Sequence, residues 1–184
     1  MSVERLVIDG YGQVELNQVA FRRDGRIEAQ LPLDPTDFAT AKAENGMLLA
    51  VDRVAGTIRM PDAAEDKPIA LNYSSEHLYD ERALGLKNFY LDRNTFLPRL
   101  GYLSVGDKFT TNCISYNTSS WADETALKAA IHAYKTTAVY GGIGLDGSIL
   151  LSATKPSVGP VLQVIKETTM PDGQYAVKFQ VIAD

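Results

Sequence analysis

Nucleophilic and metal chemistry rest on a short list of side chains, and this chain holds few of them. It has one cysteine, Cys113, and two histidines, His77 and His132. A thiol nucleophile needs a base oriented beside it. Cys113 instead lies among Phe109, Thr111 and Ile114 in strand-like sequence, where a lone cysteine serves as a small apolar side chain. His132 sits beside the apolar positions Leu127, Ile131 and Tyr134, and His77 falls in a charged stretch. No Gly-x-Ser-x-Gly elbow is present for a serine hydrolase. A Cys/His zinc site draws on about four such ligands, and a solitary cysteine rules out a disulfide scaffold. Carboxylates are plentiful, 23 Asp+Glu, so a glycosidase-type pair is compatible with composition. Most of them, however, are turn aspartates whose side chains bond their own backbone, or belong to charged turns such as Asp80-Glu81-Arg82. The calcium-loop pattern Asp-x-Asp-x-Asp-Gly is missing. We assign no catalytic residue, cofactor or metal, and the expectation is a protein that is not an enzyme.

One glycine motif needs weighing. Gly142 to Gly147 matches GxGxxG, with Glu167 at a distance suited to a ribose contact. In a dinucleotide fold the last glycine opens a helix whose N-terminus receives the pyrophosphate. Here the strand-like run Ser148-Ile149-Leu150-Leu151 follows, and then Pro156 and Gly159-Pro160, which a crossover helix would not tolerate. The segment reads as a glycine-rich β turn.

The elements that must position these residues are mostly strands. In 184 residues, 45% hydrophobic and 22% charged, there is material for one domain that buries about 70% of its unfolded surface without staples. Asp-Gly pairs at 9–10, 24–25, 146–147 and 172–173 suit the positive φ of tight turns. Two of them predict hairpins: Val19 and Phe21 against Ile27, Ala29 and Leu31, and Val161 to Thr168 against Gln174 to Ile182. Further strands are predicted at Val3–Ile8, Gly46–Val51, Thr57–Met60, Ile69–Tyr73, Leu100–Val105, Lys108–Tyr116, Thr137–Tyr140 and Ser148–Ala153. Short strands at this spacing predict a mainly β fold, a small antiparallel barrel or sandwich with hairpins. One amphipathic helix is expected over about 120–135, where Leu127, Ala130, Ile131 and Tyr134 recur at helical spacing, with Ser120 and Asp123 marking its start. A second, shorter helical stretch is expected over Ser75 to Leu84. The whole of 1–184 reads as a single β-rich domain with an extended N-terminal arm (1–10), and 66–70 is the one place where it could divide.

With 18 Lys+Arg against 23 Asp+Glu the net charge is −5, which offers no basic face for phosphates, so no nucleic-acid partner is expected. The longest apolar runs are about five residues, against about 20 for a membrane helix, so no membrane partner is expected either. Glu4 and Arg5 precede any apolar run, which does not fit a secretory signal. Between residues 72 and 102 aromatics cluster with basic residues, the types that anchor protein interfaces. The candidate interface residues are Tyr73, Tyr79, Phe89, Tyr90, Phe96, Arg99 and Tyr102. The same cluster would also be produced by core packing, or by a platform on which sugars stack.

Three stretches resemble the small head decoration (cement) proteins of tailed bacteriophages and related virion structural proteins: Glu44 to Asp52 (ENGMLLAVD), Tyr102 to Asn112 (YLSVGDKFTTN), and Gly159 to Val164 with Met170 to Gln174. The resemblance implies a non-catalytic protein on the outer capsid surface of a virion made in a bacterial host cytoplasm, bridging major capsid protein subunits. Self-association of the chain, for example as a trimer, is left open beside it. On this reading the arm Val3 to Ile8 adds to a sheet edge of a neighbour. Two other readings stay open: another phage component (neck, tail or fibre attachment), and a carbohydrate-binding or hydrolase module using the 72–102 aromatic and carboxylate cluster.

Overall fold

A computed structural model describes residues 2–77 and 85–183. The chain is mainly β and sandwich-like, built from two sheets that are not closed into barrels. In chain order the strands are β1 (Val3–Arg5), β2 (Val14–Gln18), β3 (Ile27–Glu28), β4 (Leu48–Asp52), β5 (Thr57–Arg59), β6 (Ile69–Asn72), β7 (Leu100–Gly101), β8 (Lys108–Thr111), β9 (Ile114–Asn117), β10 (Tyr140–Ile143), β11 (Ile149–Ser152), β12 (Val161–Thr169) and β13 (Tyr175–Ala183). Two helices, α1 (Ala20–Asp24) and α2 (Glu124–His132), and two 3-10 turns at 74–77 and 86–88 complete the described elements. The larger sheet runs β1-β9-β11-β10-β12-β13-β8-β2, and the smaller β3-β7-β6-β4-β5. All pairs are antiparallel except β9 with β11.

The run Met47 to Val51 explains how the two sheets join. A strand apolar at every position must be covered on both faces. Leu48 and Leu71 point into a cluster with Phe109, Ile149 and Phe179 of the larger sheet, on which Leu127 and Ile131 of α2 also pack. Leu49, Val51 and Ala70 point the other way, into a second cluster with Phe38, Leu91, Leu100 and Cys113. The smaller sheet is thus the shared wall of two cores. Residues 66–70 lead straight into β6, which lies between β4 and β7.

The C-terminal hairpin forms as expected: β12 and β13 pair from Val161↔Ala183 to Thr169↔Tyr175, closed by Gly173 N–H donating to the Met170 carbonyl. The expected hairpin at 24–25 does not form. Asp24 instead ends α1, and Gly25 at φ 68 caps it with its N–H on Phe21 O. Asp-Gly supplies positive φ equally to a hairpin turn and to a helix C-terminus, so the dipeptide alone does not decide between them. The predicted strand Lys108–Tyr116 is two strands. Thr111 Oγ1 accepts from Cys113 N–H at 3.0 Å, and the chain kinks there, so that β8 lies beside β2 and β13 while β9 lies beside β1 and β11.

Helix α2 is shorter than expected. Its N-cap is Asp123, which accepts from Ala126 N–H at 2.8 Å; ahead of it residues 117–121 form a turn in which Ser120 N–H and Trp121 N–H donate to the Asn117 carbonyl. Of the second helical stretch, residues 74–77 form a 3-10 turn and 78–84 lie outside the described residues. The N-terminal segment is not a free arm: β1 pairs with the chain's own β9, from Val3↔Asn117 to Arg5↔Ser115.

Candidate functional site

The residues that fasten β1 form a polar clasp across the two sheets. Arg5 donates from Nη1 and Nη2 to the two carboxylate oxygens of Glu44, at 2.7 and 2.8 Å. Glu44, buried ahead of β4, also accepts from Gly12 N–H at 2.7 Å. Asp146 stands 3.9 Å from Arg5 Nε, and Ser148 Oγ, 2.6 Å from an Asp146 oxygen, is 2.7 Å from Ser115 Oγ. The hydrogen bonds that Arg5 donates to Glu44 are the main reason that its guanidinium is held above its ordinary value. Next to this pair lies Cys113, whose thiol is pushed up chiefly by burial, with the nearby Arg5 charge opposing the shift. The cysteine is therefore a thiol rather than a thiolate at neutral pH, which suits packing and not attack. Farther along, the same segment is tied by Lys87 to Asp9, by Gln174 to Asp9 N–H at 2.7 Å, and by Gln13 Nε2 to Asp172 at 2.9 Å.

Beside β1 the outer face of the larger sheet carries a groove of about 610 Å³, walled by Val3, Leu145, Leu150, Pro156 and Val158. Its floor includes Gly142, where a Cβ would stand 2.6 Å from Pro156 Cγ; only a glycine lets the 153–158 loop lie this close. The lining also includes polar residues such as Asp146, Ser152 and Lys155. Val3 is 51% and Leu145 62% exposed. The groove was not foreseen from the sequence, since its walls come from segments 140 residues apart. The available signal was Ile149-Leu150-Leu151, apolar on both faces of a strand, with Gly142 directly opposite Leu150. GxGxxG thus forms the β10–β11 hairpin, turned by Gly147 N–H on Gly144 O, and opens no helix.

The aromatic cluster of 72–102 divides. Tyr73 and Phe89, 1% and 2% exposed, are packing residues of the two cores. Tyr90 is half-buried against Tyr11, with Lys42 over its ring. Tyr102 is half-buried under Arg53, which donates to its hydroxyl at 3.1 Å, and Arg99 lies against the Tyr73 ring. Phe96, 57% exposed, is the member that projects, next to exposed Leu97. Tyr79 lies outside the described residues. The six described side chains are therefore not assembled into one surface, and the Tyr73 ring, 1% exposed, is not offered to a sugar.

His132 Nδ1 is 2.8 Å from Glu167 across α2 and β12, so the partner of this imidazole is a carboxylate and not Cys113. Among the described residues no three or more His, Cys, Asp or Glu are grouped to hold a metal, and no helix is long and apolar enough to cross a membrane. No known protein family, curated protein or solved structure matches the chain.

Proposed function

We propose that this protein is a virion structural component, a decoration protein that docks on the outside of a capsid and bridges neighbouring major capsid protein subunits. The observation that carries the reading is the juxtaposition at β1: among the described residues an outermost strand, paired on one side only, runs beside an apolar groove with Val3 and Leu145 exposed at its wall. Open strand edges and apolar surface are what a soluble domain hides unless they are used for association. The resemblance of segments 44–52, 102–112 and 159–164 with 170–174 to phage decoration proteins supplies the partner. The clasp on β1 supports the reading further, since a rigid docking element loses little conformational entropy on binding.

The experiment is co-sedimentation with purified empty capsid shells of tailed phages, followed by thermal disruption of the shells with and without the protein. Saturable binding that raises the disruption temperature is expected. Failure to sediment with any shell, together with retention on a glycan array, overturns the reading in favour of a carbohydrate module.

A further inference from the structure

Among the described residues β1 has one strand neighbour, β9, and that ladder fixes the direction of its remaining backbone groups. Leu6 N–H donates to Ile114 O, and Thr118 N–H donates to Ser2 O, so the even-numbered residues of this segment face β9. In an antiparallel ladder the alternate residues face the other way. The N–H and C=O groups of Val3 and Arg5 therefore point outward from the sheet, and the edge ends where Val7 N–H is taken by Glu124 at 2.9 Å. The side chains alternate as well. Val3 lies on the groove side, whereas Glu4 lies on the opposite face, where its carboxylate accepts from Tyr116 Oη at 3.0 Å. Negative charge from Glu4, Glu124 and Asp123 gathers around that hydroxyl and, after the burial that leads, raises it.

From this we infer that β1 is an acceptor edge: an extended segment of a partner protein adds beside it as a further strand, bonding the Val3 and Arg5 backbone. On the groove face this segment places apolar side chains, and opposite Glu4 it places a lysine or arginine. A partner segment is favoured over a second copy of β1. Antiparallel self-pairing centred on Glu4 sets Glu4 against Glu4, and centring on Arg5 sets Arg5 against Arg5; like charges directly opposite destabilise a strand pair, and the register centred on Val3, which avoids that clash but leaves Glu4 without a basic partner, is what the dimerisation measurement below detects. The direction is the reverse of an arm that reaches out, because Arg5 is committed to Glu44 and β1 to β9.

The inference rests on the assembly reading, yet it is tested apart from it. The probes are two blocked peptides, acetyl-Thr-Val-Lys-Val-Lys-Val-Thr-amide and its counterpart with glutamate in place of both lysines, titrated into the full-length protein and followed by amide NMR shifts. The lysine peptide is expected to bind about fourfold tighter, the worth of one exposed charge pair, with the largest shifts at Val3 and Arg5. Glu4→Lys reverses the preference. Val3→Pro removes an outward donor at an edge position that tolerates proline, and weakens either peptide by about tenfold, a single hydrogen bond's worth, while unaltered β9 and β11 amide shifts show that the sheet is intact. Overturning results are no saturable binding of either peptide, binding indifferent to both substitutions, or concentration-dependent dimerisation that Val3→Pro abolishes. Shell binding that survives both substitutions overturns this inference and leaves the decoration reading standing; peptide binding without shell binding does the opposite.

Discussion

The clasp at Arg5 and Glu44 lends itself to a double-mutant cycle. Arg5→Met keeps most of the side chain's length and apolar stem but removes the charge. The Glu44 carboxylate, its side chain 9% exposed, is then left with the Gly12 N–H as its remaining donor among those described above. Breaking a buried pair from one side costs about 3–5 kcal/mol, but the Arg5 side chain retains 35% exposure, and solvent screening brings our figure to about 2–3 kcal/mol. At this chain length the thermal midpoint falls by about 5–10 °C. Glu44→Gln keeps an acceptor for Gly12 and strands the guanidinium with Asp146 at 3.9 Å, for about 2 kcal/mol. The double variant leaves no unpaired charge, so its cost falls short of the sum by about 1.5–2 kcal/mol. Urea unfolding with unchanged m-values gives the three differences. Additivity within about 0.5 kcal/mol would show that the two side chains are neighbours without being partners. Hydrogen exchange supplies the local counterpart: in Arg5→Met the amide of Leu6, bonded to Ile114 O, exchanges faster, while those of the β12–β13 hairpin slow or quicken only with global stability.

Native Cys113 should resist an aromatic disulfide reagent and react on unfolding in urea, since it is fully buried and burial pushes its thiol up; fast reaction of the folded protein would refute its placement. Gly46→Ala should cost about 3 kcal/mol or prevent folding, because Gly46 has φ +89 and its Cβ would stand 2.1 Å from Thr111 Oγ1; thermal melts decide, and a loss under about 1 kcal/mol contradicts the packing. Asp123→Ala should cost about 1 kcal/mol through the lost N-cap of α2, read by urea unfolding, with Ser120→Ala close to neutral as the control that separates the two candidate caps. Acid should destabilise. Asp92 is held below the usual carboxylate range by the Asn94 N–H and then by Lys42, and Asp172, raised by burial, is lowered further by bonds from Gln13 and Gln174. Groups with depressed folded values contribute fully above about pH 4 and lose that contribution as pH falls through the depressed value, so the midpoint should drop below pH 4, and Asp172→Asn should flatten that slope.

What was legible in the sequence was local. Met170 to Gly173 between two β-branched runs names its hairpin, and Leu127, Ala130 and Ile131 name the core face of α2, because each signal is complete within about a dozen residues. The misreadings came where one local signal serves two structures. Asp24-Gly25 fits a helix end as well as a hairpin turn, and Ser120 and Asp123 are both residue types that cap helices, of which Asp123 is the one that accepts a helical N–H, that of Ala126. Val14 to Gln18 (VELNQ) was not expected as a strand at all, being half polar; it forms because β8 offers it an edge from Val14↔Thr111 to Gln18↔Lys108. The candidate site was the least legible part. Glu44 is 39 residues from Arg5, and the groove joins Val3 to Gly142 and Pro156, pairings that only the order of strands in the sheet creates. Among the aromatics, type and density say interface or core indifferently, and burial decides: Tyr73 and Phe89 go in, while Phe96 stays out.

The clasp and the open edge belong to the same strand, and that coincidence has a physical sense. A three-residue edge strand held only by its ladder would fray, since one flank of its backbone is solvated and few of its side chains are buried. Leu6, 3% exposed, is the apolar anchor at one end, and the bidentate Arg5–Glu44 pair ties the strand to the turn ahead of β4, a part of the other sheet. The outward N–H and C=O groups of Val3 and Arg5 are thereby presented in fixed register while the Arg5 head group is occupied and cannot fold over the edge to cover them. An edge kept open and kept rigid runs against the usual protections of short, twisted or lysine-studded edges, and holding it costs the desolvation of a carboxylate and a guanidinium. Stability alone would be served as well by an apolar contact at these positions, so the ion pair is better accounted for by the geometry it imposes on β1 than by the free energy it adds.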